Sequence, residues 1–324
     1  METSIFKIQN QQEFTALSLA VFKHQFKNNK VYRSFCDLLF VHPSSISTIE
    51  EIPFLPIQFF KSRKVLSSLA EVQEIFTSSG TTGSSTSKHL VTDITLYKES
   101  YLKGFSHFYG NIEEYTILAL LPNYLEREGS SLVFMVADLI QKSKKPESGF
   151  YLDNMQELAK KLTELDKTGQ KTLLIGVSFA LLDLIEMQQF NLKNTTIMET
   201  GGMKGRRKEL VREELHAILK DGFGVTEIHS EYGMTELLSQ GYSKGNGLFE
   251  TPPWMKILTR DTEDALTIND SGKNGGINVI DLANYNSCSF IATQDLGKVN
   301  ENGTFEIIGR FDNSDIRGCN LMVL

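Results

Sequence analysis

Residues 76–88 read Phe76-Thr77-Ser78-Ser79-Gly80-Thr81-Thr82-Gly83-Ser84-Ser85-Thr86-Ser87-Lys88. The run follows a strand-like stretch, Glu71–Phe76, and nothing else in the chain is as dense in hydroxyls and glycine. Gly80 and Gly83 let the backbone bend tightly and approach a ligand closely. The hydroxyls of Ser79, Thr81 and Thr82, the N–H groups of such a turn and Lys88 could then cradle phosphate oxygens. The run is not a Walker A loop, since Ser87 precedes Lys88 where Gly-Lys-Ser/Thr is required, and it is not G-x-G-x-x-G. Ser/Thr/Gly clusters also form plain flexible linkers. On its own the run supports either reading.

Composition narrows the class. A chain of 324 residues with 40% hydrophobic and 23% charged residues has the make-up of a soluble globular protein of one large or two ordinary domains. A net charge of −7 and a pI of about 5.5 argue against nucleic-acid binding, which needs a basic face. No apolar run is long enough to span a membrane, and the start Met1-Glu2-Thr3-Ser4-Ile5-Phe6-Lys7 lacks the pattern of a secretory signal. Cys36, Cys288 and Cys319 have no C-x-x-C spacing, so free thiols in a cytoplasmic protein are expected rather than a metal framework. His24, His42, His89, His107, His216 and His229 show no ligand spacing either.

Periodicity gives the organisation. Residues 1–70 read as a mostly helical lead-in, with Phe14, Leu17, Val21, Phe22 and Phe26 on one face of a helix over Gln12–Asn28 and a proline-punctuated extended segment over Ile52–Phe60. Over residues 71–244 strands and helices alternate. Strands are expected at Tyr115–Leu121, Lys171–Phe179, Asn194–Glu199 and Val225–His229. Helices are expected at Ser130–Gln141 (capped by Gly129 or Ser130), Leu152–Asp166, Ala180–Gln188 and Lys204–Lys220, the last stopped by Gly222. Such alternation predicts an α/β fold built on a parallel sheet covered by helices. From 245 to 324 short Ile/Val/Phe/Thr segments separated by Asp-Ser-Gly, Asn-Gly-Gly and Glu-Asn-Gly predict antiparallel β structure. That tail is too continuous with the rest to be set apart, so 1–324 is read as a single domain.

Four further motifs carry chemistry. Tyr232-Gly233-Met234-Thr235-Glu236 offers an aromatic face, a hydroxyl and a carboxylate in one turn; Mg2+ takes one or two carboxylates together with substrate phosphates. Thr293-Gln294-Asp295-Leu296-Gly297 puts an aspartate at an expected strand end, suited to two ribose hydroxyls. Gly309-Arg310-Phe311-Asp312 adds a charged donor. Gly201-Gly202-Met203 follows a strand as a turn with room for close backbone approach. Each alone is equally an ordinary turn.

A Ser/Thr/Gly loop, then Tyr-Gly-x-Thr-Glu, Asp-x-Gly and Gly-Arg-x-Asp, in this order over residues 76–312, resemble the acyl-adenylate-forming superfamily of acyl-CoA synthetases, luciferases and adenylation domains. The resemblance implies that superfamily's large N-terminal domain, mostly parallel sheets flanked by helices with a small distorted antiparallel region at the end. It implies ATP as cosubstrate, with Ser79, Gly80, Thr81, Thr82, Gly83 and Lys88 at its phosphates, Thr235 at the α-phosphate and Glu236 holding Mg2+. It also implies Tyr232 on adenine, Gly201 and Gly202 passing beside adenine, and Asp295 and Arg310 at the ribose. The chain stops twelve residues after Asp312, so the mobile small domain of that superfamily, with its lysine, is expected to be absent.

The ending Asp315-Ile316-Arg317-Gly318-Cys319-Asn320-Leu321 is similar to that of acyl-protein synthetases of the bacterial bioluminescence type, relatives of the phenylacetate-CoA ligases. These activate a fatty acid as acyl-AMP and carry it as a thioester on a cysteine near the C-terminus; Cys319 stands in the matching place. A thiol becomes a nucleophile only when a cation or helix N-terminus lowers its pKa, and Arg317 is two residues away. Cysteine is equally at home in a core, and Cys36 and Cys288 are read that way. The expected function is therefore ATP-dependent activation of a carboxylic acid, fatty acyl by resemblance, then transfer to a thiol. That thiol is Cys319 and then an acyl-accepting carrier protein or reductase, or else coenzyme A directly. A non-catalytic nucleotide- or acyl-binding protein is the third possibility.

Overall fold

The structure is a computed structural model and describes residues 2–78, 86–122, 129–201 and 210–311. It opens with three helices, α1 (Glu2–Ile5), α2 (Gln11–Asn28) and α3 (Lys30–Leu38). The Asn10 side chain accepts from Glu13 N at 3.0 Å to start α2, and α2 buries Phe14, Val21, Phe22 and Phe26, the face the spacing predicts. Asn29 ends α2 and caps α3, its side chain accepting from Tyr32 N at 3.0 Å. The segment expected to be extended over 52–60 splits into β1 (Leu55–Pro56) and a helical turn, α4 (Phe59–Ser62). β2 (Glu74–Thr77) and β3 (Lys88–Val91) form a hairpin of their own, followed by α5 (Ile94–Tyr109). Only residues 74–77 have ladder partners, so β2 begins three residues later than the apolar pattern suggested.

The α/β alternation follows as expected: β4 (Thr116–Leu120), α6 (Ser131–Ser143), β5 (Gly149–Phe150), α7 (Met155–Thr168), β6 (Thr172–Gly176), α8 (Ser178–Met187), β7 (Thr195–Glu199), α9 (Arg212–Phe223) and β8 (His229–Tyr232). β4 and β6 are buried at every position, as parallel strands covered on both faces are. The tail supplies β9 (Gly241–Ser243), β10 (Phe249–Glu250), β11 (Met255–Arg260), β12 (Asn274–Asp281), β13 (Phe290–Val299) and β14 (Phe305–Arg310). All but the β2–β3 hairpin belong to one sheet, in the order β11-β12-β13-β14-β10-β9-β8-β7-β6-β4-β5, with β1 added parallel to β13. The strands from β8 to β5 run parallel, and the tail strands pair antiparallel. The expected α/β class with an antiparallel end is the class observed.

Several boundaries differ for local reasons. Helix α9 runs through Gly222 and ends at Gly224, whose φ of +66° is the left-handed conformation that closes a helix. Gly222 is inside the helix because any Cβ there would overlap Ile185. The start expected at Lys204, with Arg206-Arg207-Lys208, lies outside the described residues. β8 comprises His229–Tyr232, not 225–229, because the chain leaving Gly224 must first cross to the sheet before pairing with Met198 and Glu199. The strand expected over 171–179 stops at Gly176, and Ser178 already begins α8. Asp295 lies within β13 rather than at its end, paired across to Arg310.

The topology places the site. β5 lies on one side of β4 and β6 on the other, while α6 packs on one face and α7, α8 and α9 on the opposite face. That is the arrangement right-handed crossovers produce when strand order reverses. The crevice beyond the carboxyl ends of β4 and β6 is then where α/β sheets hold ligands. Among the described residues, no helix is long and apolar enough to cross a membrane.

Candidate active site

The hairpin and the strand ends converge on this crevice. Thr77 N donates to Gly129 O at 2.7 Å, tying the root of β2 to the turn that precedes α6. Ser78 N donates to Ser87 O at 3.2 Å and Ser87 N to the Ser78 hydroxyl at 3.0 Å, closing the mouth of the loop. Ser79, Gly80, Thr81, Thr82 and Gly83 themselves lie outside the described residues. Lys88 is described and exposed on β3.

Beyond β8 the chain turns sharply, with Leu237 N donating to Met234 O at 3.1 Å and Thr235 and Glu236 at the centre of the turn. His89 Nδ1 donates to Thr235 O at 2.9 Å and so joins the hairpin to this turn. The carbonyl is an acceptor only, so the proton is on Nδ1 and Nε2 carries a lone pair; Nε2 is buried with no hydrogen-bond partner. Burial pushes this imidazole down to about 4, only partly offset by the Thr235 bond, and His89 is neutral at ordinary pH. Glu236 is buried beside the Ser87 hydroxyl; its carboxyl is raised by desolvation and drawn back by Ser87 and by the Arg310 and Lys61 charges. Its carbonyl accepts from Asn284 Nδ2 at 2.7 Å.

The segment after the turn is clamped from the tail. Buried Asp281, at the end of β12, accepts from Leu238 N at 2.8 Å, Ser239 N at 2.9 Å, the Ser239 hydroxyl and Ala283 N at 3.1 Å. Trp254 Nε1 donates to the hydroxyls of Ser100 and Ser239, each at 3.0 Å. Trp254 is therefore core with a satisfied polar tip, and α5, the turn and the tail share one buried network.

Tyr232, Asp295 and Arg310 are brought together as the motif order implied, in a chain of contacts. The Tyr232 hydroxyl donates to Asp295 Oδ2 at 3.0 Å, and Arg310 Nε lies 3.1 Å from Asp295 Oδ1 across the β13–β14 ladder. The Tyr232 ring is packed edgewise against Phe249 and Phe305. At the end of β7, Gly201 has a φ of +73° and, among the described residues, nothing within 4 Å of where a Cβ would stand. Its N–H donates to buried Glu199 at 2.7 Å and its carbonyl accepts from Ser178 N at 2.9 Å. Burial alone would raise Glu199; hydrogen bonds from His216, Ser230 and Gly201 and the Arg212 charge overturn this and hold it low. His216 Nε2 faces both Glu199 (3.6 Å) and Ser230 (3.5 Å), so one nitrogen serves both and no Ser-His-Glu relay exists here. Gly202, Asp312 and Cys319 lie outside the described residues. Cys36 and Cys288 are buried, as expected of core thiols.

Among the described residues no group of three or more His, Cys, Asp or Glu side chains could hold a metal by itself. A lone carboxylate, Glu236, suits Mg2+ only when substrate phosphates complete the shell. A surface groove of about 380 Å3 between the start of α2 and the β10–β11 and β13–β14 turns contains none of the motif residues.

The fold is that of adenylate-forming enzymes. The model of the acyl-protein synthetase family, LuxE, matches residues 4–112. The chain is 25% identical to the long-chain-fatty-acid–luciferin-component ligase of Aliivibrio fischeri, covering 93% of this chain and 85% of that protein. It is 23% identical to the protein of the same name from Vibrio harveyi, covering 98% and 89%. Among solved structures, 2-hydroxyisobutyryl-CoA ligase with 2-HIB-AMP and CoA has the same fold, with a TM-score of 0.67 at 12% identity over 94% of this chain and 70% of that one. ATP-bound MatB from Rhodopseudomonas palustris has a TM-score of 0.56 at 18% identity over 75% of this chain; the match spans about half of that longer protein, 49%.

Proposed function

We propose that the chain activates a carboxylic acid of the fatty acyl class with ATP and Mg2+ and transfers the acyl group to a thiol. The observation that carries this reading is the convergence on one crevice of the loop mouth at Ser78 and Ser87, the Thr235-Glu236 turn and the Tyr232–Asp295–Arg310 chain. In the first step a carboxylate oxygen attacks the α-phosphorus, the bond to the β-phosphate oxygen breaks, and pyrophosphate leaves. Positioning and charge neutralisation supply most of such catalysis. The Ser79–Gly83 loop and Lys88 would hold the leaving phosphates, Thr235 the α-phosphate, and Asp295 and Arg310 the ribose. Gly201 and Gly202 would lie along the adenine, with the edge of Tyr232 beside it. Glu236 and the phosphates would hold Mg2+, whose charge would offset that on the leaving pyrophosphate. Glu236 is suited to this because a buried carboxyl with raised affinity for protons gains most when a cation arrives.

In the second step a thiolate attacks the acyl carbonyl and AMP departs with the bonding pair. Cys319 is the proposed acceptor, passing the acyl group to a partner protein; direct transfer to coenzyme A is the alternative. A cytoplasmic location fits the use of ATP and a small-molecule acid. Acid-dependent ATP–pyrophosphate exchange tests the first step: exchange with no fatty or aryl acid sinks the reading. Labelling with radioactive fatty acid and ATP tests the second, and a hydroxylamine-sensitive label retained in Cys319→Ser rules out the carrier role.

A further inference from the structure

The strands β2 and β3, which flank the Ser79–Gly83 segment, form a sheet of their own with no ladder to the large sheet. The backbone bond from Thr77 to Gly129 ties one strand at its root. Side chains must set where the other strand lies. Ser87 and His89 stand two apart at the start of β3 and are both buried, while Lys88 between them is exposed. The Ser87 hydroxyl faces the Glu236 carboxyl. The His89 ring stands edge-on to Phe60, with centroids 5.7 Å apart, and its Nδ1 donates to Thr235 O at 2.9 Å.

The Thr235-Glu236 turn is held from two sides in the same manner. Thr235 O accepts from His89 Nδ1, and Glu236 O accepts from Asn284 Nδ2 at 2.7 Å. In each clamp the other heteroatom, His89 Nε2 or Asn284 Oδ1, is buried without a hydrogen-bond partner among the described residues. A buried polar atom left unpaired lowers stability. An apolar side chain at position 89 would fill the space beside Phe60 with no bond unmade, but it could not supply the N–H to Thr235. The turn has other supports of its own, since Asn284 holds Glu236 O and Asp281 accepts from Leu238 N and Ser239 N. What the His89 bond adds is the link between turn and hairpin.

Resting on the acyl-activation reading above, we infer that His89, with Ser87 beside it on the same face, is a positioning residue that fixes the phosphate loop against the Thr235-Glu236 turn. A ligand that spans loop and turn, a nucleoside triphosphate, gains from that fixed separation. A ligand that meets the turn alone, a nucleoside monophosphate, does not.

The test is equilibrium dialysis of MgATP and of AMP against the full chain and its variants His89→Met, His89→Asn and Ser87→Ala, beside ATP–pyrophosphate exchange. His89→Met should weaken MgATP binding by about tenfold or more, as loss of a partner behind a ligand-holding group does, with the number of sites and the affinity for AMP unchanged. In exchange, KM for MgATP should rise by the same factor while KM for the acid stays. His89→Asn, whose amide N–H is borne on Cγ as Nδ1 is, should bind MgATP as the wild type does. Fewer sites at wild-type affinity in His89→Met would mark a merely structural residue and overturns the inference. An equal loss for MgATP and AMP overturns it too, as does His89→Asn binding no better than His89→Met. Should His89→Met not fold, Ser87→Ala carries the test, because its backbone bonds to Ser78 stay in place. It should show the same split between MgATP and AMP, and unchanged MgATP affinity in it overturns the inference. A wild type with neither MgATP binding nor exchange counts instead against the function proposed above.

Discussion

At the scale of single residues, the site holds groups in protonation states that cost stability. Glu236 is the clearest: desolvation raises its carboxyl, so the ionised form that would bind Mg2+ is strained in the free protein. Glu236→Gln should therefore lower exchange by about 10²-fold while leaving the thermal midpoint equal to or above that of the wild type, read by calorimetry. His89 gives a pH signature. Its folded-state pKa, about 4 against an ordinary 6.5, is depressed by burial, so the unfolded chain binds the extra proton between those values. Stability from this group is complete above about 6.5 and is lost as pH falls toward 4, in total about 3 kcal/mol. Asp281, raised to about 6 by burial, has the opposite slope, and His229, lowered to about 4, the same one. The difference between wild type and His89→Asn in urea titrations at pH 7.5 and 5 isolates His89. An identical pH dependence in both proteins would count against its buried neutral state. His89 was not legible in the sequence: it followed a loop as one of six histidines without ligand spacing. Only the fold brings it to Thr235, 146 positions away.

At the scale of elements, capping and packing decide what pattern reading leaves open. Asn10, Ser130 and Asn154 cap their helices with side-chain acceptors, and Ser130 was readable as a cap beforehand. Gly222 was read as a stop and is not one. Alanine there gains about 1 kcal/mol of helix propensity, but its Cβ would meet Ile185 Cδ1 at 2.6 Å and Cγ2 at 2.8 Å. Gly222→Ala should accordingly destabilise by a net of about 1–3 kcal/mol in urea unfolding; a more stable variant would show that α8 and α9 yield at this contact. The Asp281 clamp belongs to the same scale. Asp281→Ala leaves the N–H groups of Leu238, Ser239 and Ala283 buried without their acceptor, and each such loss costs about 1–3 kcal/mol. We expect a loss above about 3 kcal/mol in total, together with loss of exchange, because the same loop holds the Glu236 carbonyl through Asn284. Nothing in Asp281-Leu282-Ala283-Asn284 marks it in advance, since the Leu238 and Ser239 donors lie 43 and 42 positions away.

At the scale of the whole molecule, the sheet runs unbroken from β11 to β5, so the antiparallel tail and the parallel core share a ladder through β8 and β9. Trp254, the single tryptophan, sits in the network that joins α5, the turn after β8 and the tail. Its fluorescence and the far-UV circular dichroism should therefore trace coincident urea transitions, and separate midpoints would show the tail unfolding alone. The sequence by itself determined the α/β class and the order of the motifs, because period-two and period-3.6 patterns and turn chemistry are local and survive in one dimension. It also assigned Tyr232, Asp295 and Arg310 to one site through motif order. Tertiary structure alone decided that Asp295 is mid-strand and paired to Arg310, that His89 holds the Thr235 turn, and that Asp281 clamps the segment behind it. These are contacts between side chains far apart in the chain, and the reversal of strand order at β4 and β6 sets which of them meet.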